Sequence, residues 1–308
     1  MVLLPYSVAF GRVLAAAKKA EELGFDSLWV SDHLQRGSLP ILECWTTISA
    51  LAAATTKIRL GSLATCNSFR NPGLLAKMAA TASQISRGRV DVGIGIGYDD
   101  VEHSAYGYPF PKLTDRVDAL SESLRVITGL WGGSKFDFEG ARFRLRGAVS
   151  LPKPVGKPRI WVAGRSDPVL RAAGSCGAYG VNILPYSGTR DERQMSSLTE
   201  LQAVVEKAES YGGLKCSVYC GDGGVIVAPT REEFSRRVTR AAKLSRSSRL
   251  EMDARLRNLS AVYGTTEECE EKVEGLRSSG FEEFMLIFPG WQNGDYSNME
   301  DFAKAFLR

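Results

Sequence analysis

Short apolar runs alternate with helix-patterned stretches about eight times along the 308 residues, and no other feature limits the fold so strongly. The runs are Val2–Val8, Phe25–Val30, Ile58–Ala64, Val90–Ile96, Ile160–Ala163, Tyr179–Leu184, a long region over Lys215–Ala228, and Phe284–Phe288. They are apolar rather than half polar, the pattern of strands buried in a parallel sheet beneath helices. Eight such units favour a closed (β/α)8 TIM barrel of the α/β class over an open doubly wound sheet, with residues 1–308 read as one domain. In such barrels function gathers at the C-terminal ends of the strands. A segment that breaks the rhythm, Phe136–Leu145, alternates around Glu139-Gly140 and predicts a small inserted β-hairpin.

The most informative unit runs from Arg59 to Tyr98. An apolar strand breaks into the polar tip Thr65-Cys66-Asn67-Ser68, and Asn71 stands ready to cap a helix that has Pro72 in its first turn. Leu75, Met78, Ala79, Ala82 and Ile85 recur at helical spacing, and Gly88 is placed for a left-handed stop. Val90, Val92, Ile94 and Ile96 then alternate with Asp91, Gly93, Gly95 and Gly97, a strand period. Beyond Tyr98 a polar, aromatic loop is expected as far as Pro111. Further on, Asp167-Pro168 opens a helix, another spans about Asp191–Tyr211, and Thr265 with Glu268 forms a capping box.

A formal net charge of +4 is too small to argue for nucleic acid, and the basic segment Arg231–Arg257 interleaves its arginines with Glu232, Glu233, Glu251 and Asp253 as a solvated helical face would. Six cysteines without a CxxC pair and only two histidines argue against a zinc site. Scattered cysteines fit a reducing interior. No signal pattern is visible and no apolar run reaches the ~20 residues a membrane span needs, so the expectation is a cytoplasmic protein with no membrane or nucleic-acid partner.

Four constellations lie in or just after predicted strands. Ser31-Asp32-His33 follows the second strand, where an Asp–His pair can orient an imidazole for proton transfer. Gly93-Ile94-Gly95-Ile96-Gly97 lacks the spacing of a dinucleotide loop, since Tyr98 and Asp100 occupy the positions a third glycine would need. These glycines lie inside a strand and suit close approach by a ligand or a neighbouring backbone, with Tyr98 emerging at the mouth. Ala163-Gly164-Arg165-Ser166 and Ser187-Gly188-Thr189-Arg190 follow the fifth and sixth strands. Each offers backbone N–H groups, a hydroxyl and an arginine beside a helix start, a plausible anion site.

The segments LGFDSLWVSDHL, LGSLATCNSFRNPGLLAKMAA, GRVDVGIGIGYDDVEHSAYGYPF and LPKPVGKPRIWVAG resemble the luciferase-like flavin and deazaflavin oxidoreductases, and within them the branch that uses coenzyme F420. The resemblance spans nearly the whole chain. It implies an F420-dependent oxidoreductase with a small-molecule substrate, the cofactor lying across the strand C-termini, and a possible homodimer. Asp32 and His33 match the branch's Asp-His pair near the deazaflavin ring. Leu63-Ala64 falls at the family's non-prolyl cis peptide, and Cys66 at a small polar residue that contacts the cofactor. Ala163, Gly164, Arg165, Ser187 and Gly188 match segments that hold the phosphate tail. His33 is then the first choice for proton transfer and Tyr98 the second. Tyr98 stands where a sugar-phosphate dehydrogenase relative has an acidic glutamate. Asn71 stands where many flavin-using members have histidine, leaving FMN, in a monooxygenase, as the alternative cofactor.

Overall fold

The structure, a computed structural model, describes residues 1–4, 9–187, 194–220, 224–244, 247–258 and 262–307. Its centre is a ring of eight parallel strands: β1 (Val2–Leu4), β2 (Ser27–Val30), β3 (Arg59–Ser62), β4 (Val90–Gly95), β5 (Ile160–Ala163), β6 (Gly180–Ile183), β7 (Lys215–Cys220) and β8 (Glu283–Leu286). They pair in the order β3-β2-β1-β8-β7-β6-β5-β4, and β4 pairs back on β3 with Leu60 opposite Val90, which closes the barrel. After Leu63-Ala64 the third strand resumes as Thr65–Cys66, opposite Ile94 and Gly95. The Leu63–Ala64 peptide is cis, as the family position implies.

Strand alternation divides the barrel's residues into two sets. Leu28, Leu60, Val92, Ile94, Val162, Val181 and Val218 face outward and join the helices in one continuous apolar core. Leu3, Trp29, Trp161 and Met285 face inward and pack with Leu63 into a second, enclosed cluster. Trp29 and Trp161 meet edge-on at 6.5 Å and are both essentially buried. Each such ring removes ~150–250 Å² from water, roughly 4–6 kcal/mol before ordering costs. The inward glycine of β3 makes room for this packing, because a Cβ on Gly61 would lie 2.4 Å from the Trp29 ring.

The helix after β3, Pro72–Ser86, begins as its sequence requires: Asn71 accepts a hydrogen bond from the Gly73 N–H at 2.8 Å. Its end differs by one residue, the left-handed turn starting at Arg87 and continuing through Gly88. Three other boundaries also differ from expectation. The stretch after Tyr98 contains a helix, Asp100–Ala105, one and a half turns long and capped by Asp99, too short to show a periodicity. The long seventh run splits: only Lys215–Cys220 joins the barrel, while Ile226–Ala228 pairs with Tyr263–Thr265 outside it. The helix expected from Asp191 is found over Leu198–Ser210, with a Ser197/Glu200 capping box, and residues 188–193 lie outside those described. The hairpin forms from Phe136–Glu139 and Arg144–Ala148 as its own two-stranded sheet. Among the described residues no helix is long and apolar enough to cross a membrane.

The two ends of the barrel are chemically unlike. At the end where strands begin, Arg59 grips Asp91 through two hydrogen bonds of 2.5 and 2.8 Å, and the Arg159 N–H completes the buried carboxylate at 2.9 Å. A cavity of about 550 Å³ opens there, lined by Asp26, Arg59, Asp91, Arg159 and Glu283 among others. It lies on the face that serves stability in this fold, whereas the reactive residue types converge on the opposite face.

Candidate active site

His33 leaves the end of β2 and turns its ring into the mouth, with its side chain 13% exposed. Its Nδ1 lies 3.0 Å from Glu102 Oε2. A carboxylate can only accept, so Nδ1 is the donor in this contact, and Nε2 faces outward. The Tyr98 hydroxyl approaches that Nε2 at 3.4 Å, the two rings meeting edge-on at 5.9 Å, and Arg36 in turn donates to Tyr98 Oη at 2.5 Å. The two residues chosen for proton transfer are therefore in contact.

Glu102 is 3% exposed and comes from the short helix Asp100–Ala105. Its other oxygen accepts the backbone N–H groups of Leu34 and Gln35, the latter at 3.1 Å. Burial pushes this carboxyl up, but the His33 contact and the two backbone N–H groups outweigh it, and Glu102 sits below its ordinary value. These contacts favour its ionised form.

Asp32 behaves differently from its neighbour. Its carboxylate, 4% exposed, turns away from the mouth and is consumed by Arg70, at 2.5 and 3.0 Å, and by the Cys66 N–H at 2.8 Å. Burial alone would lower the Arg70 guanidinium; the bidentate Asp32 contact more than reverses this and raises it. Asp32 thus ties the loop after β2 to the tip after β3. Cys66 is buried beside Ser68 and His103, with its Sγ 3.2 Å from Ser68 Oγ. Burial pushes the Cys66 thiol up to about 11, against two hydrogen bonds from Ser68, so it is a neutral polar contact and not a nucleophile. His103, next to Glu102, gives its Nδ1 proton to the Asp99 carbonyl at 2.6 Å and takes the Ser68 hydroxyl on Nε2 at 2.6 Å.

The fourth and fifth strands supply a surface with almost no side chains. A Cβ on Gly95 would lie 3.4 Å from the Ala163 methyl and 3.5 Å from the Ala64 methyl, an ordinary contact on either side. Ala64, Gly95 and Ala163 thus form a shallow strip across the mouth, the kind of cradle a planar ring can lie on and one that larger side chains would fill. Leu63 lies beneath it in the interior cluster with Trp29 and Trp161.

Beyond Ala163 the chain turns at Gly164, whose φ of +148° and 2.9 Å clearance to Val169 for an added Cβ leave glycine as the residue that fits. Its N–H donates to the Asn182 carbonyl on β6 at 3.1 Å. Arg165 is half-buried and donates to Ser196 Oγ at 2.6 Å and to the Leu184 carbonyl at 3.4 Å. The helix Asp167–Ser175 starts immediately after, and the Ser166 side chain makes no capping bond. Ser187 lies in a two-residue strand paired with Gln194, and Gly188 lies outside the described residues.

The sequence reading brought together His33, Tyr98, Ala64, Cys66, Ala163, Gly164 and Arg165 but missed Glu102, Arg70 and His103. Glu102 and His103 stand in the segment read as a loop, and Asp99 with Glu102 three residues later, the spacing of a capped helix start, is the local sign of a helix there.

Comparison with known proteins agrees with this geometry. The luciferase-like monooxygenase family model matches residues 3–283. The F420-dependent glucose-6-phosphate dehydrogenase of Mycobacterium avium is 36% identical over 169 residues, 52% of this chain and 49% of its own length. The Kineococcus radiotolerans enzyme of the same description is 33% identical over 173 residues, covering 54% and 50%. The chain spans about half the length of these curated relatives. Among solved structures, an F420-dependent secondary alcohol dehydrogenase in complex with an F420–acetone adduct superposes with a TM-score of 0.77 over 100% of this chain and 98% of its own, at 21% identity. The coenzyme F420-dependent tetrahydromethanopterin reductase of Methanopyrus kandleri does so with a TM-score of 0.76 over 99% and 97%, at 17% identity. The family model spans most of the chain, from the first strand to the start of the last, and this chain belongs to the luciferase-like monooxygenase family.

Proposed function

We propose that the protein is an F420-dependent oxidoreductase that moves a hydride between the deazaflavin and a small organic substrate. The observation that carries the reading is the strip Ala64–Gly95–Ala163, flanked at one end by a proton-transfer group and at the other by a half-buried arginine. A tricyclic ring needs a flat wall of small groups, and a phosphate tail needs N–H donors and a cation some distance from it. Both are offered by one mouth, from different strands. The naming of several similar proteins for F420 supports the same cofactor.

When bound, the deazaflavin supplies the hydride donor or acceptor. The chain's own part is positional and protic. Ala64, Gly95 and Ala163 would carry the ring face, with Cys66 at its polar edge. Gly164, Arg165 and Ser187 would hold the phosphate end. His33 Nε2 accepts a proton from a substrate hydroxyl in one direction and returns it in the other, with Tyr98 as the adjoining hydroxyl. The substrate is a small molecule, and the location is the cytoplasm. A homodimer is part of the reading, and light scattering in solution tests it.

Titration with F420, reduced F420, FMN and reduced FMN, followed by fluorescence and absorbance, tests the cofactor. Tight binding of the deazaflavin, with FMN bound more weakly, is expected. Preferential binding of FMN, with oxygen consumption on reduction, would replace the proposal with the flavin monooxygenase reading. A screen of metabolites that reoxidise the reduced deazaflavin then identifies the substrate.

A further inference from the structure

We infer that Glu102 is a positioning residue which fixes His33 in its Nδ1–H tautomer and so makes Nε2 the nitrogen that exchanges a proton with substrate. The inference rests on the reading of this mouth as a site of coupled hydride and proton transfer. Neutral imidazole has one donor and one acceptor nitrogen, and the partner of one decides the role of the other. At His33 that partner is a buried acceptor 3.0 Å from Nδ1. The carboxylate is itself immobilised by the backbone N–H groups of Leu34 and Gln35, so it cannot turn away to solvent. The opposite nitrogen stands 3.4 Å from the Tyr98 hydroxyl, a group able to donate to it. Glu102 reaches over from a helix 69 residues further along, whose next residue, His103, is bonded to Ser68 on the neighbouring strand tip. The short helix thus sets the orientation of the imidazole relative to the strip on which the ring would lie.

The charged and titratable groups facing His33 are Glu102 behind it and Tyr98 with Arg36 at the mouth; Asp32, its neighbour in sequence, is turned to Arg70. Glu102→Gln is therefore a sharp probe. Its amide oxygen can keep the two backbone hydrogen bonds, while its NH₂ would face Nδ1 and force that nitrogen to accept. The proton should move to Nε2.

The experiment uses the full chain, without cofactor, labelled with ¹⁵N-histidine. Only two histidines are present, so the ring spectrum holds two sets of signals, and His33→Asn identifies which is which. At mildly alkaline pH the wild type should show a protonated Nδ1 and a bare Nε2 at His33. Glu102→Gln should reverse that pattern and leave the His103 signals in place, whereas Glu102→Asp, which keeps an acceptor, should restore the wild-type tautomer. In the hydride-transfer assay Glu102→Gln should lower kcat by ~10²-fold, with deazaflavin affinity held. A wild-type His33 with its proton on Nε2, or a Glu102→Gln protein whose His33 signals do not change, would overturn the inference. Should Glu102→Gln fail to fold, the wild-type and Glu102→Asp spectra decide the matter. A wild-type protein that binds no deazaflavin would refute the proposed function instead, and it would leave the spectral result standing on its own.

Discussion

The two sides of the barrel mouth are built on different principles. On the side of β2 and β3, both carboxylates and the second histidine are buried and satisfied: Asp32 by Arg70 and Cys66, Glu102 by His33 and two backbone N–H groups, His103 by Ser68 and Asp99. On the side of β5 and β6, the groups are small or half-exposed, and Arg165 is held by one hydroxyl and one distant carbonyl. A buried, fully satisfied network resists displacement, because each member lost leaves a partner unpaired in a low dielectric. A half-exposed cation keeps the freedom to exchange one partner for another at modest cost. The first arrangement suits a group that must present one nitrogen in one direction; the second suits a handle for a phosphate.

The largest effect should come from the imidazole itself. His33→Asn removes the proton acceptor but keeps a polar side chain of similar reach, and turnover should fall ~10²–10⁴-fold. Deazaflavin affinity, read by fluorescence quenching, should barely move, since the proposed ring face and tail contacts lie elsewhere. A large loss of affinity with retained turnover would erase the distinction between the two sides.

Next is the ion pair behind it. In Arg70→Ala, Asp32 is left with one N–H donor at 4% exposure, and breaking a buried pair from one side costs ~3–5 kcal/mol. Denaturant unfolding should show that loss as a lower midpoint with an unchanged slope. If stability falls by less than ~1 kcal/mol, within the range of a surface pair, the β2–β3 side is not the rigid one.

Much of the barrel could be read from the chain, and the reason is local. Strand runs such as Phe25–Val30 and Ile58–Ala64 carry their burial in adjacent residues, and their number implies closure. His33 was legible because it ends one of those runs. Glu102 was not, because its partner stands 69 residues away and a helix of six residues leaves no periodic trace. The same holds for Arg70, which reads as one more surface arginine until the fold sets it against Asp32, 38 residues before it. Gly95 shows the intermediate case. A glycine inside a strand signals close approach, but what approaches is defined only when closure brings Ala64 and Ala163 to either side of it. The seventh run misled for a related reason: Ile226–Ala228 is as apolar as a barrel strand, and only its partner Tyr263–Thr265 reveals a separate sheet.

On the looser side, Arg165→Ala should weaken deazaflavin binding by ~1.5–3 kcal/mol, the range of a charge-assisted hydrogen bond to phosphate. The thermal midpoint should change little, because Ser196 and the Leu184 carbonyl are left near water. Unchanged affinity would remove the phosphate assignment and leave β5–β6 as a structural edge.

The smallest and most discriminating change falls on the line between the two sides. Gly93 and Gly95 are neighbours on the inward face of β4. A Cβ at Gly93 would lie 2.0 Å from the Ser62 carbonyl oxygen, a contact that the backbone cannot accommodate. At Gly95 the same atom would meet two methyl groups at 3.4 and 3.5 Å, and the residue has no positive φ to forbid a side chain. Glycine inside a strand costs ~0.5–1 kcal/mol relative to alanine through the entropy of the unfolded chain. Gly95→Ala should therefore raise stability by up to that amount. The new methyl would stand between those of Ala64 and Ala163, closing the gap in the strip proposed for the ring, and should lower deazaflavin affinity. More stability with less cofactor is the signature of a position kept open for a ligand. A variant with unaltered affinity would show that the ring lies elsewhere in the mouth, and one that unfolds would show that Gly95, like Gly93, serves the barrel alone.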